Sequence, residues 1–153
     1  MNKRYSLILN IIVLEIGLVW ARSGFEKLEG GRFVDNLGKT LTLFSGKNPY
    51  PFVKTFLIET AIPNSQIFGF LTMYGELFVG VTLTLGSLIL IINKTENKIL
   101  NFFITIALLV SIFLSAAFWL AAGWMSASTD TVNLLMLGIE AVLFYHFSRQ
   151  LTT

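Results

Sequence analysis

Residues 99–124, ILNFFITIALLVSIFLSAAFWLAAGW, contain no charged side chain. A bilayer core of roughly 30 Å requires about 20 apolar residues in a helix, and this block supplies them without interruption. Three further apolar blocks lie at about residues 5–22, 66–92 and 132–147. In the whole chain 54% of the residues are hydrophobic and 13% are charged, which is outside the usual range for a soluble domain. The sequence therefore predicts an integral membrane protein.

The four blocks predict transmembrane helices rather than a β-barrel. In lipid only a helix or a closed barrel satisfies its own backbone hydrogen bonds, and the blocks lack the alternation of barrel strands. We expect one domain over residues 1–153, with an all-α four-helix bundle as its fold. Between the first two spans, apolar residues at helical spacing begin near Phe33 and near Phe52, which predicts two short amphipathic helices at the membrane surface. Gly30 and Gly31 should end the first helix.

Basic residues in the short loops predict the orientation of the chain. Lys3 and Arg4 precede the first span, Lys94 and Lys98 lie between the second and third spans, and Arg149 follows the fourth. Short basic loops stay in the cytoplasm. We therefore expect both termini on the cytoplasmic side of a prokaryotic inner or plasma membrane.

Several kinds of chemistry leave no signal in the sequence. His146 is the only histidine and the chain has no cysteine, so neither a haem nor a metal site is expected. No phosphate-binding loop, nucleophile motif or dinucleotide fingerprint occurs. The net charge of +2 comes without a clustered basic patch, so nucleic acid is not an expected partner, whereas membrane lipids are.

Three glutamates interrupt the apolar blocks. Glu15 lies in the first block, Glu76 in the second and Glu140 in the fourth. A carboxylate in lipid costs about 3 kcal/mol or more, so such residues usually face the bundle interior, pair or take up a proton. At 1.5 Å per residue, each lies about 13 to 16 Å from the outer end of its span, near the midplane. We expect a shared polar centre, with these three glutamates as candidate catalytic residues.

Helical spacing gives these glutamates companions. Glu15, Arg22 and Glu26 form one stripe on the first helix, and Asn133 shares a face with Glu140 on the fourth. A third face, on the second helix, consists of Gly69, Met73, Glu76, Gly80 and Gly86. Glycines on such a face let a neighbouring backbone approach closely.

Two interpretations of this constellation remain open. In the first, the glutamates accept or relay protons, while Arg22 and Lys27 near the outer mouth hold an anion or polarise a quinone carbonyl. In the second, the glutamates form hydrogen bonds between helices and only lock the bundle, at about 1 kcal/mol for each contact. A cavity lined by Glu15, Arg22 and Glu76, together with Asn133, would favour the first interpretation. A filled, tightly hydrogen-bonded centre would favour the second.

Three stretches together resemble a known family. They are GLVWARSGFEKL at residues 17–28, NPYPFVKTFLIETAIPNSQIFGFLTMYGELFVGVTLTLG at residues 48–86 and WMSASTDTVNLLML at residues 124–137. Their order resembles the DoxD-like family, the small membrane subunit of thiosulfate:quinone oxidoreductase, within the DoxX superfamily of four-helix membrane proteins. The resemblance covers nearly the whole chain.

The resemblance implies a subunit of a quinone-linked oxidoreductase that acts on thiosulfate or a similar sulfur oxyanion. It implies a quinone as cofactor and a second membrane subunit or larger complex as partner. The family-like positions are Trp20, Lys27, Asn64, Glu76, Trp124 and Asn133. The candidate substrate-binding residues are Arg22, Lys27, Asn133 and Trp124. The alternative is a non-catalytic structural or accessory subunit that binds partner proteins, lipids or pigments.

Overall fold

The structure is a computed structural model that describes residues 3–93 and 97–152. Its helices are α1 (Lys3–Gly30), α2 (Phe33–Gly46), α3 (Pro51–Phe56), α4 (Ser65–Asn93), α5 (Lys98–Ala122) and α6 (Ala127–Thr152). A π-helical turn, Leu57–Ala61, continues α3, and a 3₁₀ turn, Gly123–Met125, connects α5 to α6. Lys94, on which the predicted orientation partly rests, lies outside the described residues, as do the side chains of Lys3 and Arg4.

Within residues 3–93 and 97–152, four helices are long and apolar enough to cross a membrane. They cover Leu7–Gly30, Ser65–Asn93, Lys98–Met125 and Ala127–Leu151. The predicted fold class, an all-α integral membrane bundle, is confirmed. The first and last helices extend further than their apolar blocks, because helical hydrogen bonds continue through polar residues such as Arg22 and Asp130.

Small residues bring α1 and α4 into direct backbone contact. A Cβ added to Gly80 would overlap the backbone N and Cα of Ala21. A Cβ added to Gly24 would lie 2.9 Å from the backbone N of Leu77. Helices in lipid associate largely through such van der Waals packing. These contacts define an antiparallel register in which Ala21 lies beside Gly80 and Gly24 beside Leu77.

The predicted glycine face of α4 is buried, as expected. Its buried members are Gly69, Met73, Glu76, Gly80 and Gly86. Gly69 approaches Val34 of α2, and Gly86 approaches Ile104 of α5. Since Gly80 contacts α1, one face of α4 packs against three different helices and places α4 at the centre of the bundle.

The helices α2 and α3 form a cap over one end of the bundle, here called the cap end. Gly31 separates α1 from α2 with a φ of +60°, a conformation that glycine adopts without steric cost. The buried apolar residues of the cap are Leu37, Leu41, Val53, Leu57 and Ala61. The two predicted short helices are therefore present. Phe52 and Phe56 are exposed, whereas their neighbours Val53 and Leu57 are buried.

Asn48 fastens the cap to the end of α5. Its side-chain amide donates to the carbonyls of Leu120 at 3.0 Å and Ala121 at 3.2 Å. Its side-chain oxygen accepts a hydrogen bond from the backbone N–H of Tyr50 at 3.0 Å. Carbonyls at the end of a helix have no partner within the helix itself. Asn48 therefore caps α5 and fixes the position of Tyr50.

Candidate functional site

A buried ion pair joins α1 to α4 below the cap. The Nζ atom of Lys27 lies 2.6 Å from Oε2 of Glu76 and 2.8 Å from the hydroxyl oxygen of Ser23. The Glu76 side chain is fully buried, whereas the Lys27 side chain is 21% exposed. Within the described part of the chain, nothing hydrogen-bonds Oε1 of Glu76. This oxygen is available to accept a proton.

The close packing of α1 against α4 creates this pair. Gly24 follows Ser23 in α1. Its contact with Leu77 brings the backbone of α1 beside Glu76. The Lys27 ammonium also lies 5.2 Å from the centre of the Phe33 ring, within the range of a cation–π interaction. Removing either charge would leave the other one partly or wholly buried without a partner, which is strongly destabilising. The two side chains therefore depend on each other.

A cavity of about 320 Å³ opens beside Lys27 at the cap end, and we call it the lysine cavity. Its lining comprises Ser23, Glu26, Lys27, Gly30, Arg32, Phe33, Asn36 and Thr40. Lys27 and Arg32 are cationic, while Asn36 and Thr40 supply hydrogen-bonding groups. Such a set can hold a small anion or polarise a carbonyl group. The exposed Arg22 pairs with Glu26 at 2.9 Å, next to this cavity.

A second buried carboxylate, that of Glu140, is held by Trp20. The indole Nε1 of Trp20 donates to Oε1 of Glu140 at 2.8 Å, and both side chains are buried. Two buried serines of α5, Ser111 and Ser115, lie near the same carboxyl group. A buried indole N–H normally has a hydrogen-bond partner. This contact links α1 to α6 through the packed centre of the bundle.

The structure separates the three glutamates that were expected to share one centre. Trp20 and Lys27 lie seven residues apart on α1 and hold different carboxylates, that of Glu140 and that of Glu76. Glu15 lies on the exposed side of α1, away from both pairs. The expectation of a single polar centre shared by all three glutamates is therefore wrong, because Glu15 is exposed while Glu76 and Glu140 bond to different residues of α1. The catalytic roles of the three glutamates stay predictions.

The four predicted substrate-binding residues lie in different places. Lys27 lines the lysine cavity, and Arg22 is next to it through its pairing with Glu26. Trp124 lines a different cavity at the cap end. The side-chain amide of Asn133 donates at 2.8 Å to a carbonyl one turn earlier in its own helix. The structure therefore brings only Lys27 into contact with Glu76.

Three residues that line the lysine cavity were not identified as site residues from the sequence, although their spacing indicates a shared helix face. Arg32, Asn36 and Thr40 recur every four residues, which places them on one face of α2. That polar face lies beside the apolar face formed by Leu37 and Leu41. The role of Trp20 toward Glu140 left no such pattern, because the two residues are 120 positions apart.

Among residues 3–93 and 97–152, no three histidine, cysteine, aspartate or glutamate side chains come close enough to hold a metal ion. Comparison of the chain with protein-family models, curated proteins and solved structures gives no match.

Proposed function

We propose that this protein is the membrane subunit of a quinone-linked oxidoreductase. In this proposal the lysine cavity binds thiosulfate or a similar sulfur oxyanion, and Glu76 exchanges protons. The observation that supports it best is the Lys27–Glu76 pair, with a fully buried carboxylate and a lysine that reaches the cavity wall. Both termini lie on the cytoplasmic side of a prokaryotic plasma membrane, so the cavity faces the outside.

Anion binding and proton uptake would be coupled through Lys27. An anion in the lysine cavity attracts both the Lys27 ammonium group and the Arg32 guanidinium group. When Lys27 turns toward the anion, Glu76 loses its partner and becomes a buried unpaired charge. Such a carboxylate takes up a proton rather than remain charged. Departure of the anion returns Lys27 to Glu76 and releases that proton.

The residues of the cavity also suit a quinone head group. Phe33 presents an aromatic ring, and Lys27, Asn36 and Thr40 offer hydrogen-bond donors for a carbonyl oxygen. Oxidative coupling of a pair of thiosulfate ions forms a sulfur–sulfur bond and releases a pair of electrons, with no need for a protein thiol. A bound quinone would accept those electrons with a pair of protons. Lys27 holds exchangeable protons at the cavity wall, and the buried Glu76 behind it can take one up.

The test is thiosulfate-dependent quinone reduction by the purified protein, alone and in its native membrane complex. Glu76→Gln should lower turnover by about 10²- to 10⁴-fold, the usual effect of removing a proton-transferring group. Glu59→Gln, an exposed carboxylate on the π-helical turn, is the matched control and should keep full turnover. Turnover that survives Glu76→Gln would refute the role of Glu76.

A double variant separates function from folding. Lys27→Met with Glu76→Leu removes both charges, so neither is left buried without a partner. We expect this protein to unfold near the temperature of the parent chain and yet to show no turnover. If the double variant is folded and active, the pair only braces the two helices and the proposed chemistry is wrong.

A non-catalytic subunit of a larger membrane complex is the second candidate, and two observations favour it. Glu15 is exposed in the middle of an apolar helix, where contact with lipid would cost about 3 kcal/mol unless a partner covers it. The α6 span is 17% buried, against 33% to 44% for the other three spans. Most of its surface is therefore open to lipids, pigments or another subunit.

The complex itself tests this second candidate. A partner that pairs with Glu15 should be lost during purification when the chain carries Glu15→Leu, whereas Glu29→Leu, an exposed change at the end of α1, should leave it bound. A stable complex that depends on Glu15 but shows no quinone reduction in a folded, quinone-replete sample would establish the accessory role. A complex that is unaffected by Glu15→Leu would remove its main support.

A further inference from the structure

A second cavity, of about 290 Å³, lies at the cap end where α5 turns into α6. Three aromatic residues, Tyr50, Trp119 and Trp124, line it together with Gly123 and Asp130. We call it the aromatic cavity. None of these residues lines the lysine cavity on which the proposed function rests, and Trp124, a substrate-binding candidate from the sequence, lies here instead.

Hydrogen bonds hold the aromatic walls in place. The Nε1 atom of Trp119 donates to Oδ1 of Asp130 at 2.7 Å, and the Nε1 atom of Trp124 donates to a carbonyl of α5 at 3.0 Å. The centroids of the Tyr50 and Trp119 rings lie 6.2 Å apart, and the ring planes are inclined by 46° to each other. The two rings therefore form adjacent walls of the cavity. With both indole N–H groups already paired, the ring surfaces are what the cavity offers to a ligand.

The charge of the lining favours a cation. Asp130 is the charged residue among those that line the aromatic cavity. The C-terminal end of α5 and the N-terminal end of α6 meet here, and their opposite partial charges offset each other. The faces of tryptophan and tyrosine rings attract cations, most strongly alkylated ammonium groups. The carboxylate and the aromatic rings therefore select the same sign.

Gly123 keeps space open between the aromatic wall and the carboxylate. A Cβ at this position would lie 3.1 Å from Cδ1 of Trp119 and 3.4 Å from Oδ1 of Asp130. The backbone of Gly123 is helical, with a φ of −54°, so its conformation does not itself require glycine. The missing side chain instead leaves room beside the two groups that would contact a ligand.

We propose that the aromatic cavity binds an alkylated ammonium group, presented either by a phospholipid head group or by a free small cation. The cavity lies at the end of two membrane-spanning helices, the level at which tryptophans and lipid head groups meet. The proposal is independent of the oxidoreductase function, because it uses different residues.

Choline and 3,3-dimethylbutan-1-ol are the probes, since they share size and shape but only choline is charged. Each is titrated into the purified full-length protein in an uncharged detergent, with isothermal titration calorimetry as the readout. Choline should bind at least about tenfold more tightly than the alcohol, in line with the strength of cation–π contacts. Equal binding of the two probes, or no binding of choline, would overturn the proposal.

Variants assign the binding to the cavity. Asp130→Asn keeps an acceptor for the Trp119 N–H but removes the charge, and should weaken choline binding roughly two- to fivefold. Trp124→Leu should weaken it roughly two- to thirtyfold. Asp35→Asn, an exposed acidic residue of α2 outside the cavity, is the control and should bind as the parent chain does. Thermal unfolding of each variant checks its fold, and folded variants of Asp130 and Trp124 that bind normally would overturn the proposal.

Lipid nanodiscs distinguish the two sources of the ammonium group. Phosphatidylcholine head groups carry the alkylated ammonium group and can therefore compete with free choline, whereas phosphatidylglycerol head groups lack it. Weaker choline binding in the phosphatidylcholine discs would identify the lipid head group as the ligand. Equal binding in both discs would identify a free cation.

Discussion

Adding one methyl group at Gly80 should push α1 and α4 apart. The new Cβ would overlap the backbone N and Cα of Ala21, and a backbone cannot rotate away as a side chain can. Carbon atoms pack at about 3.5 to 4.0 Å, so the two helices must separate by about 1 Å or more at this crossing. A gap of that size forfeits a quarter to a half of the dispersion energy of each contact, and overpacking of this kind costs about 1 to 3 kcal/mol.

The free energy of unfolding of Gly80→Ala, measured in detergent micelles by circular dichroism, tests this estimate. Gly138→Ala is the matched control, because a Cβ at Gly138 on α6 meets nothing within 4 Å. The control should be unchanged or more stable by up to about 1 kcal/mol, since alanine favours helix more than glycine does. If the two variants differ by less than about 0.5 kcal/mol, the close crossing of α1 and α4 is not present in the protein.

Two further changes probe the hydrogen bonds that hold the bundle and its cap. Trp20→Phe leaves the buried Glu140 without its hydrogen-bond donor and should lower the free energy of unfolding by about 1 to 3 kcal/mol, measured by chemical denaturation. Glu140→Leu in the same chain should recover part of that loss. No recovery would count against the pairing. Asn48→Ala should release Tyr50 and speed proteolysis of the cap. Asn64→Ala is the control and should not, because the exposed Asn64 side chain donates one hydrogen bond, to the carbonyl of Thr60 one turn earlier. Equal cleavage of both variants would contradict the role of Asn48 in fastening the cap.

Much of the fold follows from local patterns in the sequence. An uncharged block such as residues 99–124, which lacks the alternation of barrel strands, is stable in lipid only as a helix. The glycine face of α4 was predictable because its members share a side of one helix, whatever that side contacts. Gly31 marks the end of α1 because its position in the chain requires a conformation that other residues avoid.

The pairing of residues across helices did not follow from such patterns. Periodicity places Glu76 on a face but does not say which residue of α1 lies at the same level. That level depends on how Gly24 and Gly80 seat the two backbones against each other, a property of both helices together. For this reason Glu15 was wrongly grouped with Glu76 and Glu140, and the partners of the two buried carboxylates were not identified.

Both buried carboxylates receive their hydrogen bond from the same helix. Lys27 and Trp20 are rigidly connected along α1, while their acceptors belong to α4 and α6. Any ligand that draws Lys27 away from Glu76 by moving α1 must also disturb the indole of Trp20. If thiosulfate binds in the lysine cavity as proposed, Trp20 fluorescence should therefore shift in a chain whose other tryptophans are replaced by phenylalanine. An unchanged spectrum at saturation would mean that Lys27 moves without α1. If the spectrum does shift, α1 acts as a mechanical link between the surface of the membrane and the interior of the bundle.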